Sequence, residues 1–167
     1  MFVSMNWIQE YVDLSGENIE SLIKRFTLST AEVEDIIYKG KEVQGVIIAE
    51  IKSVENHPNS KKLHLLKVDT GSGIVDCVCG APNVEVGQRV AFAPVGSHVV
   101  GMEITEATVA GYVSQGMCCG EDELGISDDH TGLMVIDSDA PLGTDIKSIY
   151  AIDDIIFEVD LIQVLIQ

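Results

Sequence analysis

The sequence predicts a β-rich α+β protein in which a small closed barrel is inserted into a small α+β domain. Three observations carry this expectation. Near residue 46 the texture changes from helical spacing to short runs rich in Val, Ile and Gly. Those runs, GVIIAEI, LHLLKVD, IVDCVC, RVAFAPV, EATVAGYV and GLMVID, continue to about residue 136. The segments flanking them, AEVEDII near residue 35 and DIIFEVD near 155, resemble each other in composition. Five or six short strands in about ninety residues suit a closed barrel, which removes exposed sheet edges.

Taken in order, the first forty residues read as helical. Ser4 or Asn6 is placed as the N-cap of a first helix carrying Trp7, Ile8, Tyr11 and Val12 at helical spacing. A second helix follows the Ser15-Gly16 break, with Ile19, Leu22, Ile23 and Phe26 on one stripe. The six strand-like runs come next, punctuated by Gly-Ser-Gly at 71–73, Ala-Pro-Asn at 81–83 and Asp-Asp-His at 128–130. The glycines at 80, 87, 96, 111, 116 and 125 fit no phosphate-cradling loop and read as turn residues. After Pro141, Ile152, Ile155, Ile156, Phe157 and Val159 predict another strand. The expected division is residues 1–40 with 150–167 as the small domain and 41–149 as the barrel.

The 167 residues are 46% apolar and 22% charged, a globular composition. No apolar run approaches the ~18 residues of a membrane span, and MFVSMNW lacks the order of a signal peptide. The expected compartment is the cytoplasm, with no membrane partner. Ten basic against twenty-seven acidic side chains give a net charge of −17, a field that repels phosphate, so any binding to nucleic acid must be local.

One basic cluster qualifies. Lys52, Lys61, Lys62 and Lys67, with His57 and His64, crowd into a short stretch around HPNSKK. Pro58 and Asn59 make a turn there, so the ammonium groups are expected along one rim of the barrel, with Asn59 and Ser60 fixing register on phosphate. No aromatic residue interleaves with them, which argues against stacking on bases. The four cysteines, Cys77, Cys79, Cys118 and Cys119, have poor spacing for zinc and are expected as free thiols. Cys77 and Cys79 alternate, so they share one strand face. No nucleophile elbow accompanies His98 or His130. The acidic stretch Glu121-Asp122-Glu123 with Asp128-Asp129 lacks the pattern of a calcium loop and reads as a solvated rim.

Five stretches in order carry a resemblance. They are VSxNWIxEYVDL at 3–14, AEVEDI at 31–36, HPNSKKLHLLKVDTG at 57–71, VCGAPNVEVGQRVAFAPVGS at 78–97 and SQGMCCGEDELGI at 114–126. Together they resemble the N-terminal part of the bacterial phenylalanyl-tRNA synthetase beta chain, over residues 1 to about 160. The resemblance implies a five-stranded oligonucleotide-binding (OB) barrel acting as an auxiliary tRNA-binding element. It carries Asn59, Lys61, Lys62, Ser114, Gln115, Gly116, Met117 and Glu123 over as tRNA-contacting positions. Gly120 departs from the serine the family often has there. The resemblance implies no catalytic residue and no cofactor in this segment, ATP and magnesium belonging to the whole synthetase. The implied partners are tRNA, the synthetase alpha chain and the remainder of the beta chain. A second class of function is a protein-interaction module that never touches RNA. Beyond FEVD the family pattern resembles NxSLTxRPDL, whereas this chain reads LIQVLIQ. Codons TTA ATA CAA GTC TTA ATA CAA, read from the third nucleotide, would give Asn-Thr-Ser-Leu-Asn-Thr, so a frame change is expected there.

Overall fold

The computed structural model describes residues 1–160; the LIQVLIQ expectation falls on 161–167, outside the described residues. In chain order the elements are β1 (Phe2–Ser4), α1 (Met5–Gln9), α2 (Ile19–Ser29), β2 (Glu32–Lys39), β3 (Ile47–Asn56), β4 (His64–Asp69), β5 (Ile74–Cys79), β6 (Arg89–Pro94), β7 (His98–Val99), β8 (Met102–Glu103), β9 (Ala107–Val109), β10 (Tyr112–Ser114), β11 (Gly116–Cys118) and β12 (Asp154–Asp160). They divide into two compact units, Met1–Lys39 with the residues from Asp153, and Gly40–Ile152.

In the first unit α1 is shorter than helical spacing suggested. Ser4 Oγ caps it by accepting the Trp7 N–H at 3.1 Å. The helix ends at Gln9, and Tyr11 and Val12 lie beyond it, exposed. Asp13 competes with the helix here, because its carboxylate accepts both the N–H and the hydroxyl of Ser15 and turns the chain. Asn18 caps α2 by accepting the Ser21 N–H at 3.0 Å. The helical reading of the first forty residues fails at both ends. Phe2–Ser4 pairs antiparallel with β12, and β-branched Val33, Ile36 and Ile37 pair with β12 on its other side, giving the sheet order β1-β12-β2. Met5, Ala31, Phe157 and Val159 are the buried centre, flanked by half-buried Ile19, Leu22, Ile23 and Phe26.

The second unit is a five-stranded antiparallel sheet, order β11-β6-β3-β4-β5, rolled until its two outer strands meet. Strand β3 makes the roll possible: its first half pairs with β6, its second half with β4, and the ladder shifts register around Lys52. This strand order and closure are those of an OB barrel. On β6, Val90 and Phe92 face the barrel interior, while Ala91 and Ala93 pack in a second cluster with Ile48, Leu124 and Ile146. All four of these β6 residues are fully buried; the run after Leu133 pairs alongside the strand at Val90 and sends Met134 and Ile136 into the second cluster. That run is not the strand GLMVID suggested. It pairs with β6 only around Val90 and Val135, where the Ala91 N–H donates to the Met134 carbonyl and the Ile136 N–H to the Arg89 carbonyl, and side chains strap it down further. Asn83 pairs with both the N–H and the carbonyl of Leu133, and the Arg89 guanidinium donates to the carbonyls of Ser138 and Ala140.

EATVAGYV is likewise a hairpin rather than one strand. β9 and β10 pair across a two-residue turn in which Ala110 and Gly111 both have positive φ, 50° and 92°. That geometry suits the strand twist but is strained for alanine. Gly116 is not a turn residue: it opens β11, and a Cβ there would lie 2.4 Å from Cζ of Phe92.

Candidate nucleic-acid interface

Strands β3, β4 and β5 present one face of the barrel to a cleft of about 290 Å3, lined by Glu55, Leu65, Lys67 and Val78 and walled by Tyr112 and Val113 of the β9–β10 hairpin. The hairpin is pinned to the loop between β3 and β4 by His57. That imidazole is 3% exposed; Nδ1 accepts the Asn59 N–H at 3.1 Å, so Nε2 carries the proton and donates to the Ala110 carbonyl at 3.1 Å. Its ring also meets the edge of Tyr112, centroids 5.0 Å apart. The strained Ala110 thus has its carbonyl satisfied by the residue that opens the lysine loop.

The lysines are not gathered on one rim. Lys61 and Lys62 stand exposed in the loop beside the cleft and, among the described residues, make no ion pair. Lys67 lies on the open face with its ammonium 2.5 Å from the Asp76 carboxylate. Lys52 projects from the register shift midway along β3, beside Glu50 at 2.7 Å and Asp69 at 3.8 Å. The Glu50 hydrogen bond raises its pKa above the usual lysine value. Proximity in sequence misled here because a strand carries residues ~3.3 Å apart each, so the five positions from Lys62 to Lys67 lead away from the loop along β4. Ser60 Oγ accepts the Lys62 N–H at 3.3 Å, and the Asn59 N–H is bound to His57, so both residues hold the shape of the loop.

Ser114, Gln115 and Gly116 sit where the barrel closes. The Gln115 N–H donates to the Asp76 carbonyl at 2.8 Å. Ser114 Oγ accepts the Val78 N–H at 3.0 Å and donates to the Gly116 carbonyl at 2.9 Å. These bonds replace a regular ladder between β5 and β11, and Ser114 is buried by them. Met117 is half-buried on a second cavity of about 450 Å3, which Glu123 also lines. Glu123 is not part of a solvated rim. It accepts the Gly120 N–H, and burial pushes its pKa above the ordinary carboxylate value. A Cβ at position 120 would lie 2.6 Å from Asp122 Oδ1, 2.8 Å from the Gly132 carbonyl oxygen and 2.9 Å from Glu123 Oε2, so a serine here requires these neighbours to shift. Asp122 and exposed His130 form a 2.7 Å pair that lowers the aspartate and raises the imidazole.

A family described as "Putative tRNA binding domain" matches residues 46–145. The chain belongs to that family. It is similar to the phenylalanine–tRNA ligase beta subunit of Bacillus licheniformis, 42% identical over 169 residues that cover 96% of this chain and 21% of that protein. It is 39% identical to the beta subunit of Hahella chejuensis, covering 96% of this chain and 20% of that one. The chain therefore spans about a fifth of the length of these curated relatives. A solved chain titled "Crystal structure of MetRS related protein from Pyrococcus horikoshii" superposes with a TM-score of 0.44 at 22% identity, over 60% of this chain and 86% of that one.

Within this tRNA-binding domain, Tyr112 is the residue the sequence pattern did not single out. It is 39% exposed and stands beside the lysine loop through its contact with His57, 55 positions earlier in the chain. The one signal for it was His57, whose buried ring has to be met by some distant aromatic or carbonyl group.

Proposed function

We propose that the chain is an auxiliary tRNA-binding, non-catalytic segment of a phenylalanine–tRNA ligase beta subunit, meeting RNA at the cleft between β3–β5 and the β9–β10 hairpin. The observation that carries this reading is that His57, in the loop that bears exposed Lys61 and Lys62, packs on Tyr112, which walls the cleft on the face of the OB barrel. Two ammonium groups that meet no carboxylate among the described residues supply local attraction for phosphate within an acidic surface, and Tyr112 offers a π face to an unstacked base. Lys67 and Lys52 contribute less, since carboxylates already hold them. Ser114, Gln115 and Gly116 act by keeping the barrel closed under the cleft. The alpha chain and the remainder of the beta chain are the protein partners in this reading. The exposed Phe2, Trp7, Tyr11 and Leu28 of the first unit support it, as apolar surface of that kind marks contact sites.

The test is a tRNA titration at two salt concentrations with wild type and the Lys61→Ala/Lys62→Ala double variant. Wild type binds weakly and loses affinity as salt rises, because each neutralised phosphate releases a counterion. The double variant weakens binding to all tRNAs alike and flattens the salt slope by up to ~1 for each phosphate that is no longer neutralised. Equal binding by both proteins at low salt, or none by either, overturns the reading in favour of a protein-interaction module.

A further inference from the structure

The β9–β10 hairpin carries Tyr112 and walls the cleft, yet it forms a two-stranded sheet of its own beside the five-stranded one. At its base, Ser114 and Gln115 bond to β5. Towards its tip, among the described residues, the only hydrogen bond that reaches positions 107–113 from outside the hairpin comes from His57. That buried imidazole uses both nitrogens: Nε2 donates to the Ala110 carbonyl at 3.1 Å, and Nδ1 accepts the Asn59 N–H at 3.1 Å. Its backbone closes the same loop, the N–H donating to the Leu63 carbonyl at 3.0 Å and the carbonyl accepting the Ser60 N–H at 3.3 Å. One ring therefore joins the loop that bears Lys61 and Lys62 to the hairpin that bears Tyr112, and it meets the Tyr112 ring edge to face at 74°.

We propose that His57 is a positioning residue: as a neutral imidazole it latches the lysine loop to the hairpin tip, and on gaining a proton it lets the hairpin go. The two bonds require one donor and one acceptor nitrogen on the same ring, which is the neutral form. A proton added to Nδ1 makes both nitrogens donors, so that Nδ1–H confronts the Asn59 N–H across 3.1 Å. The added charge is buried as well, and burying an unpaired charge is costly. Of the titratable groups on the elements around the ring, the hairpin carries Tyr112, the loop Lys61 and Lys62, and the flanking strand ends Glu55 and His64. None of them forms an ion pair with the imidazole among the described residues, and Glu55, the carboxylate of this set, is exposed on the cleft. Release of the tip uncouples Tyr112 from the lysines, so the cleft loses its preorganisation. This consequence rests on the reading of the cleft as the RNA site.

The experiment titrates the full chain, wild type and His57→Asn, with unfractionated tRNA at fixed salt between pH ~7.5 and ~5.5, a range in which imidazoles change charge. The asparagine oxygen takes the place of Nδ1 as acceptor for the Asn59 N–H, but its side chain is too short to reach Ala110 and takes up no proton. At the upper pH His57→Asn should bind ~5-fold more weakly, the scale of one hydrogen bond. Acidification makes the net charge less negative, which by itself favours tRNA. Wild-type affinity should nevertheless fall until it meets that of the variant, whose affinity should hold or rise. His64, His98 and His130 are present in both proteins, so their protonation does not separate the two profiles. Heteronuclear NMR of the imidazole nitrogens reads the latch in free wild-type protein, without RNA and without a variant. His57 should be the Nε2–H tautomer at the upper pH, and the Ala110 and Gly111 amides and the Tyr112 ring should shift as it takes its proton. Those shifts in a chain that binds no tRNA at any pH would support the latch and reject the RNA site. Four results overturn the proposal: an Nδ1–H tautomer, an imidazole that stays neutral over the whole range, hairpin signals that stay still while His57 is protonated, or wild-type affinity that rises with acid in parallel with His57→Asn.

Discussion

The two units bury their apolar residues very differently. In the barrel unit Ile48, Ile51, Leu66, Phe92, Leu124 and Ile146 are all fully buried, in two clusters that share the strands of one sheet. The first unit has four buried apolar residues among those described, and only Val159 of them is as thoroughly enclosed. Helix α2 has no buried residue, and Trp7, Tyr11 and Leu28 remain 59%, 74% and 79% exposed. Burial of apolar surface is the main favourable term in folding, so the contrast assigns most of the stability to the barrel. A closed barrel covers its own edges, whereas a three-stranded sheet with two short helices does not.

The largest effect that tests this contrast comes from one phenylalanine in each unit. Phe92→Ala should cost the barrel ~3–5 kcal/mol, as for any fully buried aromatic. Phe157→Ala removes the largest of the four buried side chains of the first unit and should unfold that unit while the barrel keeps its own transition. The single tryptophan, Trp7, lies in the first unit, so its fluorescence follows that unit alone, and far-ultraviolet circular dichroism follows the barrel strands. Coincident transitions by both probes in both variants would show that the units unfold together and would break the comparison.

A smaller effect is expected at the seam. Ser114→Ala removes a buried hydroxyl and leaves the half-buried Val78 N–H without its acceptor, a loss of ~1 kcal/mol or more. The barrel midpoint in urea should fall while the Trp7 signal does not move. If tRNA affinity falls with no change in that midpoint, Ser114 contacts RNA directly rather than holding β5 to β11.

How much of this was legible in the sequence depends on the range of the forces involved. Strands β3 to β6 could be read off because each is a local run of β-branched and apolar residues with its own alternation or continuous burial. The β9–β10 turn could not, because Ala110-Gly111 lacks the Asn or Asp that normally marks a turn with two positive φ angles. The strap over β6 was hidden for a similar reason: Asn83 and Arg89 hold it through side-chain bonds to residues some fifty positions away. In the site, the lysine loop showed itself by local charge density. Asp76, which occupies Lys67, and Asp69, near Lys52, are brought in by strand pairing, and Tyr112 by its contact with His57, none of which a local window contains, whereas Glu50 lies only two positions before Lys52. The SQGM motif was recognisable as a pattern, yet its part in closing the barrel emerges only once β11 is seen beside β5.

The smallest effect sharpens the other side of the comparison. Asn18 is the N-cap of α2, with its side-chain oxygen 3.0 Å from the Ser21 N–H and its own backbone extended at φ −81° and ψ 124°. The first turn of a helix has N–H groups with no partner inside the helix, and Asn18 satisfies one of them. Alanine at a cap position typically costs ~1 kcal/mol and glycine only a few tenths. In the barrel such a loss would be a small fraction of a large total. In the first unit, where α2 packs by half-buried side chains only, the same loss should move the Trp7 transition by several degrees. Asn18→Ala should therefore lower the melting temperature read by Trp7 fluorescence and leave the barrel transition unchanged, and Asn18→Gly should lower it less. Equal shifts for alanine and glycine would mean that the cap bond is not what holds α2. An unmoved Trp7 transition in both would mean that the first unit is more stable than its four buried side chains account for.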